Sequence, residues 1–183
     1  MLGFGAHFAV AADVSAAWLH ERLAPGDLLA PLSAPFLAAL GERLGARGDG
    51  IDVALAAPGL GGAAALAEID AAAAHPRVAR ARGHRDGVRA YEDRSGAAVV
   101  VLGRGLAGRR EVAVEVHPAA RGRSVARRAL VEARRLLAPG DALFAQTAPG
   151  NAASLRALLA AGFAPIGSEA LFFRRTRPDI VGP

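Results

Sequence analysis

The sequence predicts a mixed α/β fold, a mostly antiparallel sheet flanked by helices with one parallel pair of strands at its centre. Two observations carry that prediction. From Val88 onward, short strands follow one another through tight turns, which is the pattern of antiparallel hairpins. Then a strand from Glu111 to Val116 leads, through an amphipathic helix, to another strand from Ala142 to Gln146. A helical crossover of that length joins parallel neighbours. The chain has 183 residues, 52% of them hydrophobic with few aromatics. That is enough for one core, built mainly from Ala, Leu and Val.

Residues 1–50 read as a helical extension packed on the domain that follows. Phe8 to Ala12 is apolar, and Asp13-Val14-Ser15 caps a helix carrying Trp18, Leu19 and Leu23 before Pro25-Gly26 breaks it. Ser33-Ala34-Pro35 opens a second helix, with Phe36, Leu37, Leu40 and Leu44 on one face and an end near Gly45. Arg47-Gly48-Asp49-Gly50 is a turn.

The main domain is expected over 51–174, with 175–183 as a tail. Ile51 to Ala56 is a strand, followed by Pro58-Gly59-Leu60-Gly61-Gly62 and an Ala-rich helix to about Ala74. A strand, glycines and a helix in that order also open a dinucleotide-binding unit. Pro58 ahead of the glycines, Arg80 and Arg82 where an acid should stand, and the hairpins that follow all argue against it. Val88 to Tyr91 alternates, Asp93 to Gly96 turns, and Ala97 to Leu102 is a continuous apolar strand. Gly103 to Gly108 turns again. At the far end, Pro165-Ile166 and Ala170 to Phe173 form a closing pair of strands.

Between these lies the organising stretch. The Glu111–Val116 strand stops at His117-Pro118, and Arg121-Gly122-Arg123-Ser124 turns directly into a helix. Val125, Ala126, Ala129, Leu130, Ala133, Leu136 and Leu137 share one face of that helix, and Pro139-Gly140 ends it. A small, cationic turn at a helix N-terminus suits an anion, because free N–H groups and the helix dipole converge there.

This segment resembles the acyl-CoA signature of the GNAT superfamily of N-acyltransferases, commonly written Q/R-x-x-G-x-G/A. The next segment is similar to the family's second motif: after Ala142–Gln146 come Asn151-Ala152-Ala153-Ser154, a helix with Leu155, Leu158 and Leu159, then Gly162-Phe163. The resemblance covers about Val88 to Arg174. It implies a GNAT-like fold in which the central parallel strands splay apart to hold the pantetheine arm. It implies acetyl-CoA or another acyl-CoA as co-substrate, an amine acceptor and no metal. Arg121, Gly122, Arg123, Ser124, Val125 and Ala126 would hold the pyrophosphate, Val114 and Val116 the pantetheine amides, and Asn151 and Ser154 would add cofactor contacts.

Two positions depart from the family pattern. Ser124 stands where glycine is usual, and Leu158 where a tyrosine acid often sits. The lone tyrosine, Tyr91, lies in an early strand. For a general base, Glu115 and Glu111 on the central strand are the candidates, with His117 and His84 behind them. Asn151 reads first as a helix cap. The missing tyrosine keeps open an alternative, an acyl-CoA-binding module without turnover.

Charge and composition narrow the classes. No cysteine occurs, which removes disulfides and thiolate chemistry. No apolar run reaches the roughly 20 residues of a membrane span, and no basic-then-apolar leader opens the chain, so a cytoplasmic protein is the expectation. Up to residue 100, 9 Arg face 11 acids; beyond it, 13 Arg face 6, a balance of +7. A basic half suits a polyanion such as CoA. Nucleic acid is disfavoured because exposed rings do not interleave with the arginines. A homodimer is allowed.

Overall fold

The computed structural model describes residues 1–48, 50–70 and 75–174. The expected tail, Asp49 of the expected turn, and the end of the expected Ala-rich helix lie outside them. Two units divide the chain: Met1–Val53 together with the chain from Ile166, and Ala54–Pro165.

The first unit opens with a hairpin, β1 (Leu2–Phe4) and β2 (His7–Ala9). Two helices follow, α1 (Ala16–His20) and α2 (Ala34–Leu44). Ser15 and Ser33 cap them by accepting from the backbone N–H groups of Trp18 and Phe36. Gly45 ends α2 in the left-handed conformation that glycine adopts without strain. A short strand, β3 (Ala46–Gly48), comes next. The returning chain supplies β10 (Ala164–Glu169) and β11 (Phe172–Arg174). β10 pairs with β1, with Leu2 opposite Glu169, and β11 pairs with β3. Met1, Phe36, Leu40 and Ala170 form the core, with Trp18 and Leu19 packed against it.

This corrects the sequence expectation in two ways. The first 50 residues are not wholly helical, because three strands of three residues each lie among them. Such strands are too short to show a period. The closing strands pair with these N-terminal strands and not with each other. The N-terminal segment shares its unit with the C-terminal chain.

The second unit holds the parallel pair. β4 (Asp52–Pro58) brings the chain in, and β5 (Leu66–Ile69) follows. Helix α3 (Pro76–Arg82) then leads to the meander β6 (Asp86–Asp93), β7 (Ala98–Arg104) and β8 (Arg110–Val116). Helix α4 (Val125–Arg135), β9 (Ala142–Thr147) and α5 (Ala152–Ala160) complete it. The strands lie in the order β4-β9-β8-β7-β6-β5. β5 to β8 are antiparallel neighbours, whereas β8 and β9 are parallel. This is the mostly antiparallel mixed α/β sheet that the sequence predicts.

Each sheet face has its own helix. Val78 and Ala81 of α3 pack on Ala90, Val99 and Val101. Residues directly opposite across a ladder share a face, so Glu115, opposite Val99, and Glu111, opposite Gly103, lie on that α3 side. Helix α4 packs on β7 and β8 from the other side, burying Val125, Ala129, Leu130 and Ala133.

The Ala-rich stretch after Gly62 differs from expectation, with a strand at Leu66–Ile69 where a helix was predicted. Its pairing with the β6 edge, Leu66 opposite Asp93 and Ile69 opposite Ala90, overrides alanine's helical preference, since tertiary context outweighs local propensity. Among the described residues, no helix is long and apolar enough to cross a membrane.

Candidate functional site

Strand β8 runs into a 3-10 turn at Pro118–Ala120, and the basic turn follows. Gly122 has φ 76°, and Ser124, the N-cap of α4, has φ 57° and ψ 19°. The Ser124 side chain makes no capping hydrogen bond to α4. The other α-helices are capped, by Ser15, Ser33, His75 and Asn151. The first N–H groups of α4, on Val125 and Ala126, thus point outward at the positive end of the dipole. Arg128 donates to the Arg123 carbonyl at 2.9 Å and closes the turn, and Arg121 Nε reaches the Val116 carbonyl at 3.4 Å. Arg123 itself is exposed.

Beside this turn, the parallel ladder opens. β8 and β9 register at one pair, Glu111 opposite Phe144, and the ladder does not run on toward Val116. Val114 and Val116 are half-buried and pair on their other edge with Val100 and Ala98. Asn151 caps α5, its side-chain oxygen accepting from the Ser154 N–H at 3.1 Å. Leu158 is buried in that helix. Tyr91 is buried in β6, where desolvation raises its phenol above the ordinary value against a smaller lowering by Arg89.

On the α3 side lies a polar cluster that sequence reasoning missed. Glu111 accepts from Arg85 Nε at 2.8 Å and Arg109 Nε at 2.7 Å, with side-chain exposures of 6%, 12% and 13%. Burial pushes the Glu111 carboxyl up. The Arg109 hydrogen bond, the two guanidinium charges and a contribution from Gln146 outweigh it and hold the carboxyl below the usual glutamate range. Arg109 also lies over the Phe144 ring, 5.6 Å from its centroid. Arg85 Nη2 reaches Gln146 Oε1 at 3.5 Å, a long contact. The Gln146 Nε2 atom is buried and meets no acceptor at hydrogen-bonding geometry.

The loop backbone makes room for this cluster. A Cβ at Gly105 would collide with the Glu111 carboxylate, and one at Gly103 would press on Arg85. Glu115, two residues beyond Ala113 on the same face, pairs with Arg77 of α3 at 3.1 Å, both side chains being well exposed. His117 is exposed at the end of β8, its backbone N–H donating to the Ala97 carbonyl at 2.9 Å. His84 follows α3.

The fold thus brings Glu111, Glu115, Val114 and Val116 onto one strand, with the basic turn at its end. Arg77, Arg85 and Gln146 join them through long-range packing, and Arg109 from two residues before Glu111. Only the alternation that sets Glu111 and Glu115 on one face hinted at a polar cluster there.

No protein-family model matches the chain. No curated protein matches it either. Among solved structures, it is similar to a crystal structure provisionally described as an acetyltransferase from the GNAT family of Novosphingobium aromaticivorans DSM 12444. The identity is 20% over 69% of this chain, with a TM-score of 0.46, and the match spans 65% of that protein's length.

Proposed function

We propose that the chain is a GNAT-type N-acyltransferase that moves an acetyl or short acyl group from acyl-CoA to an amine by direct attack. The uncapped N-terminus of α4, set at the end of β8 beside the opening ladder, carries this reading. The backbone N–H groups around Arg123 to Ala126 would hold the pyrophosphate, with Arg121 and Arg123 beside it, as the motif implies. The β8 backbone from Val114 to Val116, unpaired toward β9, would take the pantetheine amides as a partial strand. An N–H of Glu115 or Val116 would polarise the thioester carbonyl. Asn151 and Ser154, at the start of α5, would add contacts to the same cofactor.

In this reaction the amine nitrogen attacks the thioester carbon, a C–N bond forms, and the C–S bond breaks. Glu115 takes the amine's proton in this reading. Its pairing with Arg77 is exposed and worth little, so it can be exchanged for substrate. Glu111 does not take this role, because both of its oxygens already hold guanidinium groups. Buried Leu158 offers no acid, and a thiol of pKa near 8.5 departs as thiolate without one. The same leucine favours the second reading, a module that binds acyl-CoA without turnover.

Calorimetry with acetyl-CoA, coupled to thiol release with an amine panel, tests both. Replacing Ser124 with Glu puts a carboxylate where phosphate would sit, and acetyl-CoA affinity should fall more than tenfold. Unchanged affinity would overturn the site. Acceptor-dependent thiol release that drops about 100-fold in Glu115→Gln is the expected outcome for an enzyme. Tight binding with no release from any amine would leave the binding module.

A further inference from the structure

The two glutamates that share a face of β8 are each held by an arginine of α3 or of the turn after it, and the two pairs differ in kind. The Arg85–Glu111 pair is nearly dry, at 12% and 6% side-chain exposure, and Arg109 holds the other carboxylate oxygen. Arg77 and Glu115 are open to solvent, at 38% and 40%. Arg77 donates through Nε to one oxygen only, 3.1 Å away, whereas Arg89 and Glu68 form the two-bond fork of a full guanidinium–carboxylate pair. An exposed single contact contributes little, so solutes compete for both of its partners. Ala113, between the two glutamates, is half-exposed, so the strand is not covered beside Glu115. The surrounding charge is positive. No acid lies between Pro76 and Arg85, where Arg80 and Arg82 are exposed, and Asp86, which follows, stands opposite Arg104 in the ladder. The Glu111 cluster sets two guanidiniums against one carboxylate.

We propose that Arg77 is a specificity-determining residue and that the acceptor is an amine carrying an anionic group, a carboxylate or a phosphate, a few bonds away. This rests on the acyl-transfer reading, in which Glu115 takes the amine's proton, and narrows it. An amine that takes Glu115 parts it from Arg77. If the amine carries nothing else, the guanidinium loses its partner and gains none. If it carries an anion, both members of the pair are met again, Glu115 by the amine and Arg77 by the anion. Because Arg77 and Glu115 touch, the two groups of the acceptor must also lie near each other. Polyamines and aminoglycosides bring further cations to a face that already holds Arg80, Arg82 and the net-positive Glu111 cluster. Like charges set against each other reject a partner. A primary amide in place of the carboxylate keeps an oxygen but loses the charge, so it loses the exchange as well.

Acceptor pairs that differ in that one charge make the test: glycine against glycinamide, β-alanine against β-alaninamide, and phosphoethanolamine against ethanolamine, with spermidine and kanamycin as polycations. Thiol release at saturating acetyl-CoA is read for the wild type, Arg77→Gln and Arg77→Glu, with the thermal shift by each acceptor alongside. In the wild type, the anionic member of at least one pair should give at least tenfold higher kcat/KM, and both polycations should fall below it. Preference for the carboxylates or for the phosphate identifies the source. In Arg77→Gln that advantage should shrink to less than twofold through a rise in KM. In Arg77→Glu the order should reverse, with the neutral or cationic acceptor used better, which a merely structural arginine would not produce. Equal use of charged and neutral members by the wild type, or a preference unchanged in both variants, would overturn the inference while leaving acyl transfer intact. A large fall in the melting temperature of unliganded Arg77→Gln would make the pair structural and overturn it too. If nothing is transferred, a thermal shift by the anionic amines that Arg77→Gln abolishes upholds recognition and sinks only the transfer reading; no such shift sinks both.

Discussion

Glu111 is one carboxylate answering two guanidiniums in a nearly dry site. Removing one partner of such a buried set is costly, because the charges left behind lose their compensation. Glu111→Gln should therefore destabilise the protein by about 3 kcal/mol at neutral pH, read by urea unfolding. The pH dependence has a definite sign. Because the folded-state carboxyl titrates below the usual 4.5, its stabilisation is complete above that value and is lost as pH falls through the lower folded value. The gap between wild type and Glu111→Gln should narrow below pH 4, and a constant gap would refute the pairing. The strand that carries Glu111 is legible from its alternation. Its partner Arg85 is not, because it lies 26 residues upstream and no local pattern links the two. Ser124 differs: the sequence marks it as an unusual choice for a glycine-like position, and its φ of 57° shows that the backbone there is of the kind glycine favours.

At the scale of elements, α4 and α5 are joined by arginines that finish α5. Arg127 Nε donates to the Ala160 carbonyl at 3.2 Å, and Arg134 Nη1 donates to Ala161, the residue that caps α5. Cations at the last carbonyls of a helix complement its dipole. Arg134 also reaches the Pro58 carbonyl at 3.0 Å. Arg134→Ala should cost about 2 kcal/mol, whereas Arg135→Ala, which breaks only an exposed contact with Glu132, should cost under about 0.5 kcal/mol. Equal losses in urea unfolding would contradict this. The helices α2, α4 and α5 are readable in advance because their periods and end signals agree. The strands β1, β2, β3 and β5 are not, being three or four residues long and set by partners elsewhere in the chain. Helix α3 carries a local start signal of its own, His75 as cap and Pro76 at the first position, but at seven residues it is too short for a clear period.

Over the whole molecule, the basic second half is less available than its charge suggests. Arg109 and Arg110 pair with Glu111 and Asp141, and Arg127, Arg128 and Arg134 hold backbone carbonyls. Among the described residues, Arg123 at the turn is exposed and open to a polyanion. Raising salt from about 50 to 200 mM should therefore weaken acetyl-CoA binding by less than tenfold, measured by calorimetry. A loss of 10³-fold or more would be the signature of a broad phosphate-binding face. The division into two units could not be read from the sequence either. It depends on pairings such as Leu2 with Glu169, which no window along the chain contains.

The single bridged position between β8 and β9 has one more consequence. A sheet normally hides its unpaired backbone in the middle and leaves it only at the rim, where charge, proline or brevity discourage other chains from adding on. Here the row of open groups from Val112 to Val116 begins in an interior strand, among valines and without a gatekeeper proline. An opening of that kind invites a further strand, so acetyl-CoA should slow any self-association of the protein, measured by light scattering.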